Sequence, residues 1–219
     1  MRAHERFLLF FIAALLLPCT RVVALTGEDF PTHWRMAEPA PVIRTAPAGC
    51  LAPDVLRLDD GTYRAYFTVT GRGVGSATSR HGLQWEVEPG LVVESLRHTR
   101  DYREGQPGFD LGHPWLVRLD NGSWRMYMQA NTGLHTPLHI VSATGGGTRP
   151  FTMEPGERLP LGRGTGVRFA GHGRTWRMRD GTWAMAFSGN TYHDNGPSDI
   201  MLALSADGLS WAVEDYMVY

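Results

Sequence analysis

One phrase is written three times in this chain, and that repetition constrains the fold more than any other feature. "LAPDVLRLDDGTYRAYF" begins at Leu51, "LGHPWLVRLDNGSWRMYM" at Leu111 and "AGHGRTWRMRDGTWAMAF" at Ala170. When the copies are aligned on their turns, Gly61, Gly122 and Gly181 coincide. Arg57, Arg118 and Arg177 coincide before the turns, and Tyr63, Trp124 and Trp183 after them. Each copy is an apolar run, an Asp-Gly or Asn-Gly turn and an aromatic-rich run. Those turn residues tolerate positive φ, so each copy reads as a β-hairpin with a two-residue turn.

A second phrase follows each hairpin: "SATSRHGLQWEVEPG" from Ser76, "SATGGGTRPFTMEPG" from Ser142 and "ALSADGLSWAVEDY" from Ala203. Small residues close one strand, Gly turns the chain, and Trp85, Phe151 or Trp211 opens the next strand. Each unit therefore reads as four antiparallel strands, over about 52–90, 113–156 and 172–216, with longer connections at 91–112 and 157–171. A recurring four-stranded sheet is a propeller blade, which buries its faces only against neighbouring blades around an axis. "HWRMAEPAPVI" from His33 matches the outer-strand phrase "QWEVEPGLVV" from Gln84, so an N-terminal outer strand is expected to complete a blade. Three blades and one strand fall short of the usual four to eight. The expectation is an all-β, incomplete propeller: a truncated product, a fragment, or a subunit that borrows its closure.

Composition agrees. The chain has 26 Gly, and aromatic residues make up 11% of it, set in short alternating runs. Lys and Arg number 21 against 22 Asp and Glu, with no basic block, which argues against nucleic acid as a partner. At the start, Arg2 and Arg6 precede an apolar run from Phe7 to Leu17 and an exit at Val22-Val23-Ala24. This pattern describes a signal peptide over 1–24, leaving 25–219 as the propeller domain, secreted or periplasmic and off the membrane once cleaved. The alternatives are an uncleaved anchor or a lipid on Cys19, the latter disfavoured by Pro18. Only Cys50 then remains, so no internal disulfide can form, and it reads as a small buried residue.

The apolar pair, the "RL" and DG turn, the aromatic strand and the "SADGLSW" connection together resemble the five-bladed propellers of the arabinanase, levansucrase and invertase superfamily, with glycoside hydrolase family 43 and its relatives. The resemblance covers roughly 33–216. It implies a five-bladed architecture, hydrolysis of glycosidic bonds in an axial funnel, and carboxylates carried by the innermost strands. Such hydrolysis needs one carboxyl group to protonate the leaving oxygen and another to activate water or attack the sugar. In the family the first innermost strand opens with Asp-Pro. Here that place holds Ala52-Pro53, with Asp54 two residues on and on the same face of a regular strand.

The equivalent opening positions are His113 and His172, which the resemblance permits as proton donors or as neighbours of a central ion; hydrogen bonding within their own blades is the alternative. Asp54 is the candidate base or nucleophile. Glu104, Asp110, His113 and His172 compete for the acid, Glu104 and Asp110 from the long connection "RDYREGQPGFD". Arg174 and Trp115 share the register of Asp54 and are candidates to line the pocket, Trp115 as a sugar platform or as core. The Arg57, Arg118 and Arg177 series reads as a structural contact, and the connection before Trp211 is shorter than a sialidase Asp-box. No cofactor is expected beyond a calcium ion that the resemblance allows on the axis. Carbohydrate is the expected partner. The rival readings are a propeller that binds glycan or protein without catalysis, and an inactive fragment.

Overall fold

The structure is a computed structural model that describes residues 43–45, 49–95, 110–131, 138–147, 150–162, 167–190 and 199–217. The proposed signal segment, the strand expected around His33, and Glu104 lie outside these residues.

The described residues form three antiparallel sheets, each a four-stranded meander. In the first, β1 (Cys50–Arg57), β2 (Tyr63–Val69), β3 (Gly73–Ser79) and β4 (Glu86–Val87) follow in order, and β5 (Val93–Glu94) adds to β3. The second holds β6 (Asp110–Arg118), β7 (Trp124–Asn131), β8 (His139–Gly145) and β9 (Phe151–Met153). The third holds β10 (Phe169–Arg177), β11 (Trp183–Asn190), β12 (Asp199–Ser205) and β13 (Ala212–Met217). These are the blades that the recurring phrases predict.

The hairpin turns differ from expectation in one detail. Leu58, Leu119 and Met178 donate their N–H to the carbonyls of Thr62, Ser123 and Thr182 at 2.8 Å. Each loop therefore has three residues, and only its Gly takes positive φ: 85° at Gly61, 82° at Gly122 and 90° at Gly181. The preceding acidic or amide side chain explains the choice. Asp60, Asn121 and Asp180 accept the N–H two residues on at 2.9, 3.0 and 2.9 Å, which fixes a type I turn ending in a Gly bulge.

Alternation along the strands gives each blade two faces, and successive blades bury them against each other. Tyr66 and Val74 of the first blade join Leu116, Met126, Met128 and Val141 of the second in one cluster. Trp115, Tyr127 and Ile140 of the second join Met185, Phe187, Met201 and Trp211 of the third in another. Polar clasps lock these contacts. Arg64, 6% exposed, pairs with Glu88 and donates to the Gly147 carbonyl at 2.6 Å, which the Tyr66 hydroxyl also reaches. One blade later, Arg125 pairs with Glu154 at 2.9 Å and donates to the Asp207 carbonyl at 2.9 Å, while the Tyr127 hydroxyl donates to the Gly208 carbonyl at 2.8 Å. Burial pushes the Tyr127 hydroxyl up to about 12, so it stays a donor at any ordinary pH.

Asp207 is held in its turn by the N–H groups of Leu209 and Ser210, a structural role. The Arg series is also a contact between blades: Arg118 reaches Asp59, and Arg177 reaches Asp120. The third blade changes this pattern. By strand register, Ala184 and Ala186 replace the Arg and Tyr, Leu202 replaces Ser76 and Ser142, and Arg179 stands where Asp59 and Asp120 stand. Trp176 and Ile200 are exposed on that outer face.

Candidate active site

Each innermost strand breaks its pairing at the same place. The register shifts between Leu51 and Asp54 in β1, between Gly112 and Trp115 in β6, and between Gly171 and Arg174 in β10. At each shift one non-glycine residue adopts a left-handed backbone: Ala52 at φ 50°, His113 at 48° and His172 at 49°. A bulge of this kind re-aims a side chain out of the sheet alternation. For an L-residue it costs on the order of 1–2 kcal/mol, so the surrounding structure must hold it. Part of that hold is visible at His113, whose N–H donates to the Thr68 hydroxyl of the preceding blade at 2.7 Å. Gly112 lets Thr68 approach, since a Cβ there would lie 2.9 Å from its methyl group.

The three bulges converge. The rings of His113 and His172 meet edge to face, with centroids 4.3 Å apart and planes at 89°. Together with Ala52, Pro114 and Arg174 they line a cavity of about 150 Å³. Two larger hollows, of about 480 Å³ beside Trp85 and about 540 Å³ beside Leu111 and His139, contain neither ring of this pair. The small cavity is the candidate site because equivalent residues of all three blades meet there.

The electrostatics differ from a paired-carboxylate site. Burial, and then the nearby His172, hold the His113 imidazole below its ordinary value of 6.5, so His113 is neutral near pH 7. Burial raises the Asp54 carboxyl above its ordinary range, against the opposing pull of the Leu116 N–H and the Arg174 charge.

The bulges also redirect the residues that follow them. Asp54 does not line the cavity. Its carboxylate turns toward the second blade and accepts the Leu116 N–H at 2.8 Å. Trp115, at the equivalent position, is 1% exposed, stacks on Tyr127 with centroids 5.6 Å apart, and donates its indole N–H to Thr175 at 3.0 Å. It offers no face to a sugar, so of its two sequence readings, platform or core, the core reading fits the structure. The cause is the same in both: the position after the bulge points at the next blade. Arg174, third in this series, borders the cavity instead. Asp110 opens β6 opposite Asn131, half-buried and outside the lining. Glu104 is outside the described residues.

Pro114 and Thr68 complete the site and had no sequence signal of their own. Cys50 is half-buried, and its Sγ lies 3.5 Å from the Ile43 carbonyl. Among the described residues, no three His, Cys, Asp or Glu side chains gather as a metal site. The lining offers imidazoles and a guanidinium where calcium requires several oxygen ligands, so these residues do not fit that ion.

No family model matches the chain, and neither does any curated protein sequence. Solved structures do. An endo-1,4-beta-xylanase from Bacteroides thetaiotaomicron superposes with a TM-score of 0.60 at 18% identity, over 84% of this chain and 64% of that one. A family 117 glycoside hydrolase from the marine bacterium Zobellia galactanivorans gives 0.60 at 17% identity, over 76% and 55%. A thermostable family-43 glycoside hydrolase gives 0.58 at 20% identity, over 81% and 57%. The chain thus spans between about half and two thirds of the length of these structures. At such identities the likeness concerns architecture alone: this chain is built of four-stranded β-propeller blades like those of the structures it superposes on.

Proposed function

We propose that this chain is an exported carbohydrate-active propeller of the glycoside hydrolase type, which takes a sugar at the cavity between His113 and His172 and cleaves its glycosidic bond by acid/base chemistry. The observation that carries the reading is the convergence of three equivalent left-handed residues, from three blades of a glycosidase-type fold, on one hollow. The groups nearest that hollow suit proton transfer. Neutral His113 accepts a proton from water, while Asp54, behind the lining with its carboxylate on the Leu116 N–H, bears on the cavity through its charge interaction with Arg174. His172 and Arg174 hold hydroxyl groups. Glu104, from the connection before β6, and Asp110, at the start of β6, are the candidates for the carboxyl group that protonates the leaving oxygen.

A second reading has its own support. Where the resembling enzymes carry an acidic residue, Ala52 stands, and among the described residues the lining contains no carboxylate. That favours a propeller that binds a glycan without cutting it.

Turnover of aryl glycosides by the purified chain decides between the two. Hydrolysis lost in His113→Gln, in a chain whose denaturation midpoint matches the parent's, supports the catalytic assignment. Hydrolysis retained in that variant rejects it, and binding without turnover selects the second reading.

A further inference from the structure

The cavity has an unusual charge pattern for a site meant to take a neutral sugar. Of its five lining residues, Arg174 carries a guanidinium, His113 and His172 carry imidazoles, and Ala52 and Pro114 are apolar. Asp54, whose carboxyl feels the Arg174 charge, is occupied by the Leu116 N–H, and no ion pair joins the two among the described residues. Arg174 spends one N–H on the Gly173 carbonyl at 2.9 Å, and its side chain is otherwise exposed at the cavity edge. Two imidazoles whose centroids lie 4.3 Å apart cannot both become charged cheaply, and His172 already opposes protonation of His113. An anion placed between the rings and the guanidinium would reverse that penalty, because it favours the charged form of every polar group in the lining.

From this arrangement we infer that the axial cavity selects sugars bearing an oxyanion, a carboxylate or a sulfate ester, which Arg174, His113 and His172 bind at the place Ala52 leaves open. The inference rests on the reading of this cavity as a sugar site and names the class of sugar. Three features fit together. Ala52 removes the side chain that would fill the space or repel an anion. Arg174 supplies a fork suited to a planar or tetrahedral oxyanion. The two imidazoles, edge to face at the same hollow, add N–H donors.

The test is calorimetric titration of the whole chain with glucuronate, galacturonate and glucose 6-sulfate, each against its neutral parent sugar, and with inorganic sulfate and phosphate alone. The acidic sugars should bind at least about ten-fold more tightly than glucose or galactose, the scale of one charge-assisted hydrogen bond. Arg174→Gln should remove that difference while leaving the thermal midpoint unchanged, and Arg174→Lys should restore part of it. The His113 ring signal should titrate at higher pH with glucuronate bound. Equal affinity for acidic and neutral sugars would overturn the inference while leaving the sugar site standing. Inorganic anions binding as tightly as the acidic sugars would overturn it in favour of a plain anion site. No binding of any sugar would remove both this inference and the function on which it rests.

Discussion

Gly173→Ala tests how firmly the packing of the second blade on the third sets the site. A Cβ at residue 173 would lie 2.8 Å from Cη2 and 3.1 Å from Cε2 of Trp115, with Cζ2 nearer still. Ordinary contacts there begin near 3.4 Å, so the indole must move by more than a few tenths of an ångström. It has nowhere to go: Trp115 is 1% exposed, stacked on Tyr127 and tied to Thr175 by a 3.0 Å hydrogen bond. Overpacking of a rigid core typically costs about 1–3 kcal/mol, and losing the indole hydrogen bond adds roughly 0.5–1.5 kcal/mol. The expected loss is therefore on the order of 2–4 kcal/mol in chemical denaturation followed by tryptophan fluorescence. The double variant with Trp115→Phe should recover much of that loss, because the smaller ring vacates the contested space. A Gly173→Ala chain within about 0.5 kcal/mol of the parent, the range of an ordinary surface change, would refute the described packing of the blades.

Two further outcomes follow from the bulges. Ala52→Gly removes an unfavourable left-handed backbone of about 1–2 kcal/mol and returns roughly 0.4–1 kcal/mol of unfolded-state entropy, so the denaturation midpoint should rise slightly; a clear fall would show that Ala52 is not left-handed. Asp54 has its carboxyl raised by burial, so the stability it contributes in acid is lost as pH climbs from its ordinary value of 3.8 through the folded-state value. Asp54→Asn keeps an acceptor for the Leu116 N–H and should gain on the parent between pH 4 and pH 7 in paired denaturation curves; the opposite trend would contradict a desolvated Asp54.

The blades were legible because each needs the same turn and the same alternation, and a period survives many individual substitutions. The Gly at 61, 122 and 181 and the aromatic after it mark every hairpin. The loop length was not legible, since Asp-Gly serves both two- and three-residue loops, and the choice depends on whether the Asp or Asn side chain caps the N–H two residues on. The bulges were hidden for a related reason: neither Ala nor His announces a left-handed backbone, so counting by twos from Ala52 put Asp54 and Trp115 on the wrong side. His113 and His172 could still be matched because they recur in register. The clasp residues Arg64, Arg125, Tyr66 and Tyr127 recur in the same way, and only the partners they reach, in the loops of the next blade, lay beyond a sequence reading. The proposed signal segment, the outer strand expected near His33, and Glu104 fall outside the described residues.

The candidate site exists only if innermost strands from different blades meet at one hollow, and the most direct measurement of that is the proton titration of the His113 ring by NMR, in the parent and in His172→Asn. Asn tolerates the left-handed backbone at residue 172 and removes the neighbouring imidazole. In the parent, His113 should titrate below 6.5, and its folding stability should fall as pH drops from 6.5 through that lowered value, because the unfolded chain then takes up the proton first. In His172→Asn the titration should move upward. A His113 that titrates identically in both chains would place the two rings apart and contradict the shared cavity.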